Sequence, residues 1–192
     1  MAITFNGSTN AIGGLAVGGL PDGTVDTDTL ASSVSRLTNY DEWRYISDIT
    51  LNNNSETDIT ANLSRVVNES VIGSAMTESS GVFTFPSTGI WLIHCFGNFY
   101  RTGGSRRFVG WRIKYSSDNG SNWSTLAAAT HNMSARSGVV YVTPSCTTPL
   151  DVTDTSNQKI KFAGFCTSTE VHISGSASYN SVSFNFTRIG DT

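Results

Sequence analysis

An all-β fold, an antiparallel β-sandwich of jelly-roll type, is what the sequence predicts, and three observations predict it. From about residue 42 onward, short runs of alternating apolar and polar residues recur about eight times, each bounded by Gly, Pro, Asn, Asp or Ser. Only one short segment carries a helical period, so no βαβ alternation competes and no helices are on hand to cover a parallel sheet. Charged residues are only 14% of the chain, 12 Lys and Arg against 15 Asp and Glu, so solubility rests on Ser, Thr, Asn and Gly, as suits a rigid β shell exposed outside a cell. That balance lacks the basic excess of an electrostatic nucleic-acid binder, and no run of about 18 apolar residues is present to cross a membrane. At 192 residues the chain accommodates one head domain of roughly 150 residues behind an N-terminal extension.

The extension divides in two. Residues 1–24 form a Gly-rich arm: after a strand-like run at residues 2–5, glycine recurs too often for a packed core, and Ile3, Ile12, Leu15, Val17 and Leu20 are spaced along it. Aliphatic side chains on such a tether suit an anchoring arm ordered along a partner protein, with a disordered tail as the simpler alternative. The first residues lack the basic start and apolar stretch of a signal peptide, so an extracellular destination is expected to be reached by assembly in a host cytoplasm and lysis. Pro21, Asp22 and Gly23 make a turn. Residues 25–40 then carry Leu30, Val34 and Leu37 at helical spacing behind an N-cap at Thr27 or Asp28. A helix that short is unstable alone, so it is expected either to dock on the head or to meet its symmetry mates as a neck.

The head, residues 41–192, is organised around residues 81–99. Phe83 and Phe85 alternate with Val82 and Thr84, a Pro86–Gly89 turn interrupts, and a longer run follows in which Ile90, Leu92, His94 and Phe96 share one face while Trp91, Ile93, Cys95 and Phe99 share the other. Both faces are mostly apolar. With no helices to cover the second face, another copy of the chain is the economical cover, so Ile90, Leu92, His94 and Phe96 are read as a homotrimer interface; a central strand in a thick monomeric core is the alternative.

Around it, residues 42–46 (EWRYI) read as the first strand, 48–61 as a polar stretch anchored by Ile49, Leu51 and Ile59, and 63–71 as a weak strand. Residues 101–107 form a turn with the densest positive patch, Arg101, Arg106 and Arg107. Residues 108–115 alternate, with Val109, Trp111, Ile113 and Tyr115 on one face and Gly110, Arg112 and Lys114 on the other. Asp118, Asn119 and Gly120 give the strongest hairpin signal, with Trp123 on the return strand. Further strands are expected at 139–142, 159–166, 170–174 and 181–189. The loop arginines Arg101, Arg106 and Arg107, together with Trp123, are the candidate recognition residues for a host surface glycan.

The run Phe83, Phe85, Pro86, Gly89, Ile90, Trp91 and Ile93, followed late by the strand at 159–165 and closed by Val182, Phe184 and Phe186, resembles the globular head shared by the complement subcomponent and tumour necrosis factor superfamily over about residues 42–190. That resemblance implies a ten-stranded jelly roll assembling as a tight homotrimer with both termini near one end of the axis. The superfamily's closing aromatic–Gly pair is replaced by Phe184–Asn185 and the collagen stalk is absent, which argues against an animal immune role. The Gly-rich arm running through Leu20, Pro21, Asp22, Gly23, Thr24 and Val25 into Leu30 and Ala31 resembles decoration, head-fibre and tail-fibre proteins of bacterial viruses.

Little in the sequence points to chemistry. His94, His131 and His172 make no motif, and no nucleophile elbow, HExxH helix or phosphate loop occurs. Asp151 and Asp154 beside Thr153 fall in one expected loop but lack the oxygen-ligand density of a calcium site, so no catalytic residue, metal or cofactor is expected. Cys95, Cys146 and Cys166 are widely spaced and give no disulfide framework. The expected function is therefore that of a non-enzymatic virion structural protein on the particle surface, a homotrimeric capsid decoration, cement or head-fibre protein held through its arm to the major capsid or another virion protein. The alternative is the receptor-binding head of a short tail fibre recognising host glycan; a lytic enzyme would need paired carboxylates across a cleft.

Overall fold

The structure is a computed structural model of the chain and describes residues 4–6, 11–13, 37–65, 71–102, 107–135, 137–167 and 170–192. The chain divides into two compact units, Met1–Ser35 and Arg36–Thr192. In the first, β1 (Thr4–Asn6) pairs antiparallel with β2 (Ala11–Gly13), placing Phe5 opposite Ile12. A partner strand inside the glycine-rich stretch is a feature that composition did not reveal. Ile3, Leu15, Val17 and Leu20, and the helix-period segment as far as residue 36, lie outside the described residues.

The second unit opens with β3 (Asn39–Tyr45), so the last two residues assigned by sequence to the neck are already strand. Along the chain follow β4 (Ile49–Thr50), β5 (Ser55–Asp58), β6 (Leu63–Arg65), β7 (Val71–Ile72), β8 (Thr77–Ser79) and β9 (Val82–Thr84). Next come β10 (Gly89–Gly97), β11 (Phe99–Thr102), β12 (Arg107–Ser116), β13 (Ser124–Ala128) and β14 (His131–Met133). The last are β15 (Val139–Val142), β16 (Ser145–Val152), β17 (Lys159–Cys166), β18 (Val171–Ile173) and β19 (Val182–Gly190). No helix occurs among the described residues.

One six-stranded sheet runs β16–β10–β19–β3–β6, with β7 also on β3; a seven-stranded sheet runs β13–β12–β17–β9–β8, with β14 on β12 and β5 on β17; a four-stranded sheet runs β15–β11–β18–β4. The chain passes from β9 to β10, β12, β16, β17 and β19, alternating between the two large sheets, which is the winding of a jelly roll. Their facing surfaces meet in an aromatic core. Phe83, Trp91, Trp111, Phe162, Phe184 and Phe186 are all essentially buried, with Phe162 stacked on Phe184 at 4.3 Å and Trp111 edge-on to Phe184 at 5.6 Å. Such pairs contribute about 0.5–1.5 kcal/mol each beyond the area they bury.

β16 was not anticipated, because Pro149 and its polar neighbours disguise it. Among the described residues it is an edge strand bonded to β10 alone, the setting in which proline's missing N–H costs least. The Asn119–Gly120 signal does mark a left-handed turn, with φ of 56° and 87°, inside a connection longer than a two-residue hairpin because Tyr115 and Ser124 are the last paired residues. Gly110 is required by packing: a Cβ there would lie 1.8 Å from the Ala129 carbonyl oxygen. β3 also turns an acid inward. Asp41, 1% exposed, accepts from Arg65 Nε and Nη2, each at 3.0 Å, and from the Met76 amide at 2.8 Å, fastening β6 and the segment before β8 to the sheet.

Candidate assembly face and loop sites

Alternation along β10 sends Trp91, Ile93 and Cys95 into the core and leaves Ile90, Leu92, His94 and Phe96 half-buried on the outer face of the six-stranded sheet, the division read from the sequence. The register assembles rows across that face. Ile72, Tyr40, Thr187, Leu92 and Pro149 lie in one row. Glu42, Asn185, His94 and Thr147 lie in the next, and Arg44, Ser183, Phe96 and Ser145 in a third. The first row is the most apolar, the second is polar, and the third sets Phe96 beside Arg44 and two serines.

The polar row is held by Glu42, which accepts from Asn180 Nδ2 at 2.9 Å, Ser183 Oγ at 2.7 Å and Tyr40 Oη at 3.2 Å. Burial first, and then the adjacent Glu42 charge and hydrogen bond, push the Tyr40 phenol up to about 12. His94 stacks on Phe96 at 5.6 Å, and burial lowers its imidazole from the ordinary value of 6.5.

The loop residues chosen from sequence separate. Arg101 is not on a loop: it lies on β11 facing inward, 1% exposed, with Nη2 donating to the Ser134 carbonyl. A strand continues two residues past Tyr100 because Phe99 and Arg101 both point into the interior, so the arginine that suggested a charged turn is a buried donor. Arg106 lies outside the described residues, and Arg107 begins β12. Trp123 is half-buried, donates from Nε1 to the Gly120 carbonyl at 2.9 Å, and carries the Lys161 ammonium 4.5 Å above its ring. It borders an open cavity of about 180 Å³ with Tyr115, Ser117, Asp118, Asn122 and Ser124. The polar groups there are engaged by the loop itself. Asp118 accepts from Asn122 Nδ2, from the Asn122 amide and from Ser116 Oγ, hydrogen bonds that hold its carboxyl down at about 2. Asp151 and Asp154 do not share a loop. Asp151 lies on β16, and Asp154 caps its own turn through the Ser156 amide and Asn157 Nδ2; among the described residues no cluster of three metal-ligating side chains forms.

Two constellations escaped the sequence reading. Across the four-stranded sheet, Tyr141, Tyr100, His172 and Thr50 fall in one row. Tyr100 stacks on His172 at 4.8 Å and meets Tyr141 at 5.7 Å, and Tyr141 is 61% exposed. The row is pinned by Tyr100 Oη donating to Asp48 at 3.0 Å and by a 3.0 Å contact between Thr50 Oγ1 and His172 Nδ1. Period-2 alternation in VVYV and FYRT was its only trace in the sequence. The second is a pair of thiols: Cys95 and Cys146, 51 positions apart by their numbering, stand directly opposite each other on β10 and β16.

With the geometry in place, solved structures show the fold. The chain shares its fold with murine APRIL (TM-score 0.57, 11% identity, 79% of this chain and 98% of that chain covered) and with Eiger TNF from S. frugiperda (TM-score 0.56, 10% identity, 82% and 96%). The head is accordingly a TNF-like jelly roll. No family model matches the sequence, and no curated protein matches it.

Proposed function

We propose that this chain is a non-enzymatic structural protein of a bacterial-virus particle, a homotrimeric decoration or head-fibre protein whose N-terminal arm attaches it to the major capsid or another virion protein. The observation that carries assembly is the outer face of β10, where Ile90, Leu92, His94 and Phe96 are left half-buried by a single chain. A TNF-like jelly roll supports a three-fold arrangement through that sheet, and the glycine-rich arm with Ile3, Ile12, Leu15, Val17 and Leu20 supports attachment. One arm binds weakly, since each buried aliphatic side chain yields roughly 1.5–3 kcal/mol while ordering each residue costs about 1–2 kcal/mol. Three arms on one trimer bind at high effective concentration, raising avidity by about 10² or more.

The test is co-sedimentation with particles lacking their own copy. Full-length protein is expected to sediment with them, while a chain lacking residues 2–20 stays trimeric in the supernatant. Full-length protein that fails to bind overturns the virion reading, and truncated protein that binds equally moves the anchor into the head. A second reading, a receptor-binding head for host surface glycan, is favoured by the exposed Tyr141 at the end of the Tyr141–Tyr100–His172 stack, since aromatic faces suit the apolar faces of sugar rings. It requires Tyr141→Ala to abolish binding to host polysaccharide without altering the oligomer.

A further inference from the structure

Cys95 and Cys146 are direct register partners on adjacent antiparallel strands, both inward-facing, 0% and 6% exposed, and both thiols in the structure. Directly opposed residues in such a ladder have Cα atoms about 4.5–5.5 Å apart, inside the range of about 4.4–6.8 Å that a disulfide spans. Cys166 is placed differently: it sits on β17 of the seven-stranded sheet, opposite Val109, with its thiol directed to the Asn52 carbonyl at 3.2 Å.

We propose that Cys95 and Cys146 form an oxidisable pair that closes into a cross-strand disulfide, fastening the edge strand β16 to the central strand β10. Cys146 is the attacking sulfur. The Cys95 hydrogen bond and, more weakly, the Arg112 charge hold its thiol down at about 7 despite its burial, whereas burial pushes Cys95 well up. Its position on the edge strand leaves it the small exposure that a peroxide needs. The Cys146 thiolate attacks one oxygen of hydrogen peroxide and the O–O bond breaks; hydroxide leaves and takes the thiol proton as water, giving a sulfenic acid. The Cys95 sulfur then attacks the Cys146 sulfur and displaces hydroxide, which leaves as water with the Cys95 proton. Two thiols and one peroxide give one disulfide and two waters.

The consequence is local and mechanical. Among the described residues β16 is hydrogen-bonded to no second strand, and it carries Thr147 and Pro149 to the same outer face as Leu92 and His94. A covalent cross-link at Cys95 prevents that edge from fraying. In the proposed virion setting the thiols stay reduced during assembly in a cytoplasm and close on exposure outside it, but the pairing chemistry itself does not depend on where the protein resides.

The experiment treats the full-length chain with dilute hydrogen peroxide, blocks remaining thiols with an alkylating reagent, and maps the products by non-reducing peptide mass spectrometry. Expected are a loss of about 2 Da, one peptide joining Cys95 to Cys146, one alkylated cysteine at Cys166, and a Tm that rises by about 5 °C or more and falls back with dithiothreitol. Cys166→Ser retains the bridge, and Cys95→Ser and Cys146→Ser each lose it. A bridge to Cys166, an intermolecular dimer, sulfinic acid at separate cysteines, or full alkylation at all three positions overturns the proposal. None of these outcomes bears on particle attachment, so it fails separately from the proposed function.

Discussion

The outer faces of the two large sheets are built on opposite principles. On the seven-stranded sheet, Lys114 and Lys161 stand directly opposite each other, an unfavourable like-charge pair on its own. The face resolves it internally. Glu56 accepts from Lys114 and lies 3.6 Å from Arg112, Asp58 takes Lys161 at 2.7 Å, and Arg112 lies over the Phe165 ring at 4.6 Å. That surface is complete in water. On the six-stranded sheet the corresponding positions are Ile90, Leu92, His94 and Phe96, with Tyr40, Thr187 and Pro149 beside them; its charges are fewer, with Glu42 bound by its own neighbours, Asp151 opposite Ile90 at the edge strand and Arg44 in the Phe96 row. One face answers its charges itself, and the other presents the half-buried apolar surface that the proposed trimer would cover.

The largest expected effect comes from putting the chemistry of the first face onto the second. Leu92→Glu or Phe96→Glu buries an unpaired charge in the trimer, at a cost of several kcal/mol, so size-exclusion chromatography with light scattering should return monomer with an unchanged far-UV spectrum. A soluble trimer for both variants would mean that this face is not the interface.

A smaller effect is expected from pH. Burial lowers the His94 pKa below 6.5, so the neutral ring is the one the fold favours. The contribution is fully present above the ordinary imidazole value and is lost as pH falls from 6.5 through the lowered value. The stability of the folded chain to denaturant should therefore decline with acidification in that window, and His94→Phe should flatten the response; an unchanged slope in the variant would assign the dependence elsewhere. Smallest of all, Glu56→Gln on the charged face should shift stability by about 1 kcal/mol or less, as exposed ion pairs do, in a urea titration, and should leave the oligomer untouched. A loss of assembly in that variant would erase the distinction between the faces.

Much of this contrast was legible beforehand. Period-2 alternation gave Val139–Val142 and Lys159–Cys166 with their observed bounds, and it assigned both faces of β10 because strands fix side-chain direction locally. What stayed hidden depends on pairing. Pro149 disguised β16, since only its position at the edge of the sheet makes a proline acceptable there. Arg101 read as a turn cation because nothing local shows that β11 aims it inward. The Tyr141–Tyr100–His172 row and the Cys95–Cys146 pair join residues tens of positions apart, and register, not composition, brings them together.

The most direct measurement of the central claim is sedimentation equilibrium of the full-length chain at micromolar concentration. The account predicts one species at three times the 20.6 kDa chain mass, persisting on dilution. A monomer at that concentration would contradict it, and would leave Ile90, Leu92, His94 and Phe96 as an exposed face with no second copy upon it.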